Sequence, residues 1–193
     1  MQFNATDTVW LMICSALVLL MTPGLALFYG GMVRAKSVLN MMMMSFSAIG
    51  VITVLWVVGG YSLAFGQDSF AGLIGDLSDV GLSQALTSTV GAPGHEVPAL
   101  TFSFFQLTFA IVTTALLSGA VADRIKFTAW LALVAAWSTF IYIPLAHMAF
   151  ASQGGNGGLF IDRWGVLDFA GGTAVEINSG ASALALALVI GKR

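Results

Sequence analysis

Five apolar runs, each of roughly 20 residues or more, fill most of this 193-residue chain and fix the solvent it folds in. A helix needs about 20 apolar residues to cross a hydrocarbon core about 30 Å thick. The spans are expected from about Thr8 to Val33, Ser37 to Phe65, Ala99 to Ala122, Phe127 to Phe150 and Phe169 to Ile190. Only 8% of residues are charged, against about 25% in a soluble domain. The fold class that follows is all-α integral membrane: five transmembrane helices in a single membrane domain, residues 1–193. Lipid offers no partner to an unpaired backbone amide, so each run must satisfy its own hydrogen bonds as a helix.

Composition excludes several functions. There is no basic patch and no nucleic-acid motif. One cysteine, Cys14, sits inside the first run, so no disulfide framework can form within the chain. The opening MQFNATDTVW lacks the positive n-region of a secretory signal, and the apolar stretch behind it outruns signal-peptide length. The Met41–Met44 run reads as soft packing surface rather than metal ligation. No nucleophile–base pair suits an intramembrane protease, no zinc-ligand spacing rises above chance, and no glycine pair belongs to a nucleotide-binding context. No enzyme activity and no cofactor is therefore expected.

Charge placement orients the spans. Of the seven basic residues, Arg34 and Lys36 follow the first span, Arg124 and Lys126 the third, and Lys192 and Arg193 the fifth. The opposite side keeps only Arg163, among Asp68, Asp76, Asp79, Glu96 and Asp162. By the positive-inside rule the N-terminus lies outside and the C-terminus in the cytoplasm. Residues 66–98, rich in Gly, Ser, Asp and Pro, then form an external loop with a short helix, while His95 and Glu96 within it are simply solvated. The second outer loop, Ala151–Leu167, carries GGNGG and should be flexible or tightly turned. Pro23 should bend the first span. The pairs Gly30-Gly31, Gly59-Gly60 and Gly171-Gly172 should let helices approach closely. An odd number of spans is what one half of an inverted-repeat transporter needs.

The functional clue is acidic. Asp168 and Glu176 occupy a stretch that is otherwise membrane helix. Carboxylates at that depth face a protein interior or a wet path rather than lipid. Asp168 opens the helix, where it can accept backbone N–H bonds and sit against the positive helix end. Glu176 follows eight residues later, about 12 Å along the axis and on roughly the same face. Burial penalises the charged carboxylate, so a neutral acid there could relay a proton or accept a hydrogen bond, whereas an ionised one could stabilise a passing cation. The bland alternative is a buried acid paired with a donor on a neighbouring helix. Phe105 and Phe109 stand four apart, on one helix face. As residues alone they are ordinary packing aromatics.

Several segments together resemble the ammonium transporter family (ammonium transporter, methylammonium permease and Rh proteins). They are Thr22–Ser45 (TPGLALFYGGMVRAKSVLNMMMMS), Phe105–Phe127 (FQLTFAIVTTALLSGAVADRIKF), Ile143–Met148 (IPLAHM) and Asp168–Arg193 (DFAGGTAVEINSGASALALALVIGKR). The resemblance covers nearly the whole chain and is weakest over 66–98. It implies transmembrane ammonium and ammonia transport in a cell membrane, with ammonium recruited outside and ammonia and proton passed inward separately. It also implies a homotrimer in the lipid bilayer with one pore per subunit, and a cytoplasmic nitrogen-signalling protein as a possible partner. By the same resemblance Phe109 lines the outer recruitment site with Phe105 beside it, and Phe150 stands where many members have a cation–π tryptophan. Asp168 shapes the outer vestibule, and Glu176 replaces the first of two pore histidines. His147 itself reads as structural, hydrogen-bonded within the bundle, with a proton relay as the alternative. Family chains have about eleven spans, and this sequence stops where their first half ends. A fragment of a longer transporter is the expectation, with a half-length assembly partner or a non-transporting ammonium sensor as the alternative.

Overall fold

The computed structural model describes residues 2–191, so the basic pair Lys192 and Arg193 lies outside the described residues. Five helices long and apolar enough to cross a membrane are present: α1 (Ala5–Met32), α2 (Ala35–Phe65), α3 (Ala99–Val121), α4 (Phe127–Phe150) and α5 (Gly172–Ile190). The helix count matches the hydropathy reading. Helix α1 starts earlier than expected because Asn4 caps it, its side-chain oxygen accepting from the Asp7 amide at 3.1 Å. The helix runs on through Pro23. Helix α5 starts later than expected, because Gly171 turns left-handed at φ +94° and only then does the chain begin to coil.

Helix α3 is the core of the bundle. Over its apolar window 56% is buried, against 17% for α1 and 22% for α5. It packs on α1 and α2 along its length and on α5 at its end. Lipid tails are as apolar as leucine, so burying apolar area does not by itself bring these helices together. Close packing of small residues and interhelical hydrogen bonds do. Ser103, Thr108, Ala110, Thr113, Thr114 and Ala115 are all buried on α3. Indole N–H groups stitch the neighbours: Trp56 of α2 donates to the Ser103 hydroxyl at 3.1 Å, Trp130 of α4 to the Met44 carbonyl at 2.9 Å, and Trp137 of α4 to the Ser182 hydroxyl at 2.9 Å. Such bonds contribute about 0.6 kcal/mol each inside a bilayer.

One glycine of two of the expected pairs makes the close approach. A side chain at Gly30 would meet Met42 at 3.2 Å, and one at Gly60 would meet Ile143 at 3.1 Å, whereas Gly31 and Gly172 face open space. The tightest helix contact of this kind was not singled out in the sequence: a Cβ at Gly119 would lie 2.8 Å from the Tyr29 ring. Helices α2 and α4 each carry one widened π turn, Trp56–Gly60 and Ser138–Tyr142.

The connections sort to two ends. At one end the Asn4 amide donates to the Glu96 carbonyl at 2.7 Å, tying the start of α1 to residues 66–98. That loop holds a 3₁₀ turn, Val80–Leu82, and an antiparallel pair, β1 (Thr89–Val90) with β2 (Val97–Pro98). His95 and Glu96 are not merely solvated. His95 Nδ1 lies 2.7 Å from Asp7, and Glu96 Oε2 accepts from the Gly94 amide at 2.9 Å, because the loop folds back over the α1 terminus. At the other end Arg124 donates to the Ala120 and Gly191 carbonyls, joining the ends of α3 and α5. The glycine-rich loop is tightly turned around one carboxylate. Asp162 accepts from the amides of Gln153, Gly155 and Gly157 and from the Ser152 hydroxyl.

Candidate functional site

At the end of the bundle that carries residues 66–98, α3, α4 and the entry to α5 converge. Phe105 and Phe109, one turn apart on α3, meet edge to face with ring centroids 5.0 Å apart at 86°. That geometry sets the positive ring edge of one against the negative face of the other. Phe150 comes from the last residue of α4. Asp168 comes from the segment just before α5. These four side chains line one cavity of about 200 Å³, together with Gln106 and Phe169. Four of the five site residues expected from sequence are thus brought to one place.

Asp168 is fixed there by its own helix. Its Oδ1 accepts from Gly171 N at 2.8 Å, and its Oδ2 accepts from Thr173 N and Ala174 N at 2.9 Å each. Those amides are orphan donors of the first turn, so the carboxylate satisfies them and faces the positive helix end. With both oxygens occupied by backbone, the group acts on the cavity as a fixed charge more than as a free ligand.

Glu176 stands apart. It does not line the cavity, its side chain is exposed, and its carboxylate has no hydrogen bond among the described residues. Within this chain alone Glu176 does not face a protein interior. The reason is the placement of α5, which packs by one side against α3 and α4. Glu176, Ile177 and Gly180 point away from the bundle, as do Leu184 and Leu188 further along.

Sequence reading missed Gln106 and Phe169 as lining residues, and it missed a polar assembly beside the site. Asp68 Oδ2 accepts from Arg163 at 3.0 Å, and Asp68 Oδ1 accepts from the amides of Gly72 at 2.7 Å and Phe70 at 3.3 Å. Burial alone would raise the Asp68 carboxyl, but these amides and the Arg163 charge hold it below the usual carboxylate range. Asp162 behaves likewise: burial raises it, and the Gln153, Gly157 and Gly155 amides with the Ser152 hydroxyl outweigh that. His147 is wholly buried, with Nδ1 3.1 Å from the Ala64 carbonyl, in keeping with a place inside the bundle's hydrogen bonding. Partners 95 residues apart, such as Asp68 and Arg163, leave no local signal.

A larger cavity of about 400 Å³ lies on the other side of Phe150, lined by Tyr61, Phe65, His95, Phe102 and Gln153 among others. Phe150 is the wall that both cavities share. Among the described residues no group of three or more His, Cys, Asp or Glu is placed to hold a metal ion.

Residues 9–193 match the model of a family described as the Ammonium Transporter Family. The chain is 53% identical to an ammonium transporter of Mycobacterium tuberculosis over 97% of its own length and 43% of that protein's. It is 47% identical to an ammonium transporter of Aquifex aeolicus over 100% of this chain and 44% of that one. Among solved structures it superposes on Mep2 of Candida albicans with a TM-score of 0.85 at 36% identity, covering 100% of this chain and 40% of that one. The chain therefore spans less than half the length of the relatives it matches.

Proposed function

The chain belongs to the ammonium transporter family, and from that premise we propose that it supplies the outer recruitment mouth and one wall of a conduit carrying ammonium nitrogen across a cell membrane. The observation that supports this reading is the cavity in which Phe105, Phe109 and Phe150 surround the capped Asp168 carboxylate. An ammonium ion loses hydration on entering a narrow apolar path, and that loss is costly unless other groups replace the water. Ring faces attract the cation, by about 0.5–1 kcal/mol each where exposed and more where dry. The Asp168 charge lowers the barrier to entry without binding the ion tightly.

Beyond the mouth the cation gives up a proton: the N–H bond breaks, ammonia continues through the apolar path, and the proton needs an acceptor. Glu176 is the acid placed inward of the mouth on α5, and it meets a lumen only if a further set of helices covers the open side of α5. In this reading a second half, from the same chain or another, packs there. The assembly is a homotrimer with one pore per subunit, oriented with the 66–98 loop outside. A cytoplasmic nitrogen-signalling protein would meet the opposite end.

The test is uptake of methylammonium by a host lacking its own transporters. An assembly containing this chain should take up the cation, and Asp168→Ala should lower uptake by about a hundredfold with membrane insertion intact. Uptake no greater than in the empty host, with the protein inserted and assembled, would overturn the transport reading. It would leave the sensor or assembly-partner alternative.

A further inference from the structure

We propose that Asp79, Tyr61 and Phe65 form a second cation site, outside the mouth, that takes ammonium or a primary alkylammonium. Its cavity has a volume of about 150 Å³ and lies where the end of α2 meets the loop that follows. Asp79 is the only charged side chain among the described residues that line it, and among them it enters no ion pair. Asp79 is 9% exposed and Tyr61 5%. Asp79 Oδ1 accepts from the Gln84 amide at 2.6 Å and the Ala85 amide at 3.3 Å, while Oδ2 takes no hydrogen bond among the described residues. The Tyr61 hydroxyl takes none either. Both atoms keep accessible surface, unlike the sealed Nε2 of His147. A buried negative charge with a free oxygen is costly unless a donor or a counter-charge meets it.

The surroundings choose the occupant. Asp79 is held beside the rings because its amide donates to the Ser62 hydroxyl at 2.8 Å, next to Tyr61, and its charge reaches the phenol. Tyr61 and Phe65 stack one turn apart, with centroids 5.6 Å apart at 27°. Aromatic surface of the kind that attracts a cation therefore lies beside the carboxylate. Two further lining groups present acceptors. Ser88 donates its one O–H to the Gln84 carbonyl at 2.9 Å, which leaves only lone pairs. Gln84 Nε2 is engaged by the Ser78 carbonyl at 2.8 Å, which leaves Oε1. Acceptors, ring surface and one uncompensated negative charge suit a small cation that carries N–H donors.

Three cavities adjoin at this end. Tyr61, Phe65 and Val90 also line the cavity of about 400 Å³, and Phe150 stands between that one and the mouth with Asp168. A cation held at Asp79 is thus separated from the mouth by two aromatic walls. Its occupancy raises the local concentration of the cation at the outer face. The choice of ammonium among donor-bearing cations rests on the transport reading, whereas the existence of a cation site does not.

The chain has three tyrosines, Tyr29, Tyr61 and Tyr142, so ¹³C-tyrosine NMR in lipid nanodiscs reads the site directly, with Tyr61→Phe assigning the Tyr61 signal. Methylammonium chloride should shift that signal saturably and leave Tyr29, near the other end of the bundle, unmoved. Sodium or potassium chloride at the same ionic strength should not shift it. Asp79→Asn keeps an oxygen for the Gln84 and Ala85 amides and should weaken the response at least about tenfold. Asp168→Ala should leave the response in place. No saturable shift of Tyr61 in the parent protein, or an equal shift with potassium, overturns the proposal without any variant. So does undiminished binding in Asp79→Asn with the Tyr29 signal intact. Loss of the Tyr61 response in Asp168→Ala would overturn it too, since the shift would then be relayed from the mouth. None of these readouts uses uptake, so a failure of the transport reading would be seen separately.

Discussion

At the scale of single residues, the site is a balance of one fixed charge and several ring faces. Asp168 was legible in the sequence as a helix-opening acid because capping is local. The three amides it accepts lie within six residues of it. Asp168→Ala should cost about 1 kcal/mol of stability through the lost cap, and Asp168→Asn less, since an amide oxygen still accepts. Thermal unfolding of the two variants measures this. Phe150 keeps a quadrupole but lacks the indole N–H and the larger face of tryptophan. Phe150→Trp should lower the half-saturating ammonium concentration about threefold and weaken competition by potassium, read from uptake with potassium present. An unchanged potassium competition would take Phe150 out of cation recognition. Glu176 shows the limit of residue-level reading: its identity and depth along α5 were legible, but its exposure was not.

At the scale of elements, the helices followed from length and apolarity, and their ends from caps and glycine. The contact faces did not. The Gly119–Tyr29 approach joins the ends of α3 and α1, and no spacing rule within either helix signals it. Gly119→Ala would push a methyl to 2.8 Å from the Tyr29 ring, an overpacking worth about 1–3 kcal/mol. Gly31→Ala, on an open surface, should be neutral by comparison. Pairing Gly119→Ala with Tyr29→Ala should recover much of the loss in thermal unfolding. If it does not, the ring is not what the methyl meets. The π turns in α2 and α4 were equally invisible in sequence, since a widened turn leaves no compositional mark that these segments display.

At the scale of the whole molecule, acid at one end ties the loops 66–98 and 151–167 together. The Asp68 and Asp162 carboxyls are depressed in the folded protein, so their stabilisation is complete above the usual carboxylate range. It is lost as pH falls through their lower folded values. Limited proteolysis should therefore cut 66–76 and 151–163 faster below about pH 4, with the helices still resistant. Acceleration of α3 cleavage in the same range would mean that the bundle, rather than the loops, is titrating. The sequence by itself determined that this chain is helical, that it crosses a bilayer five times, and which connections share an end. Each follows from local rules: backbone amides in lipid must pair within their own segment, and apolar length sets the crossing. Only the tertiary structure decided that α3 is the centre, that Asp68, His147 and Arg163 meet, and that α5 leaves Glu176 uncovered. Within a bilayer every apolar face is equally at home against lipid. The choice of which face turns inward therefore rests on small-residue fit and on polar partners far apart in the chain.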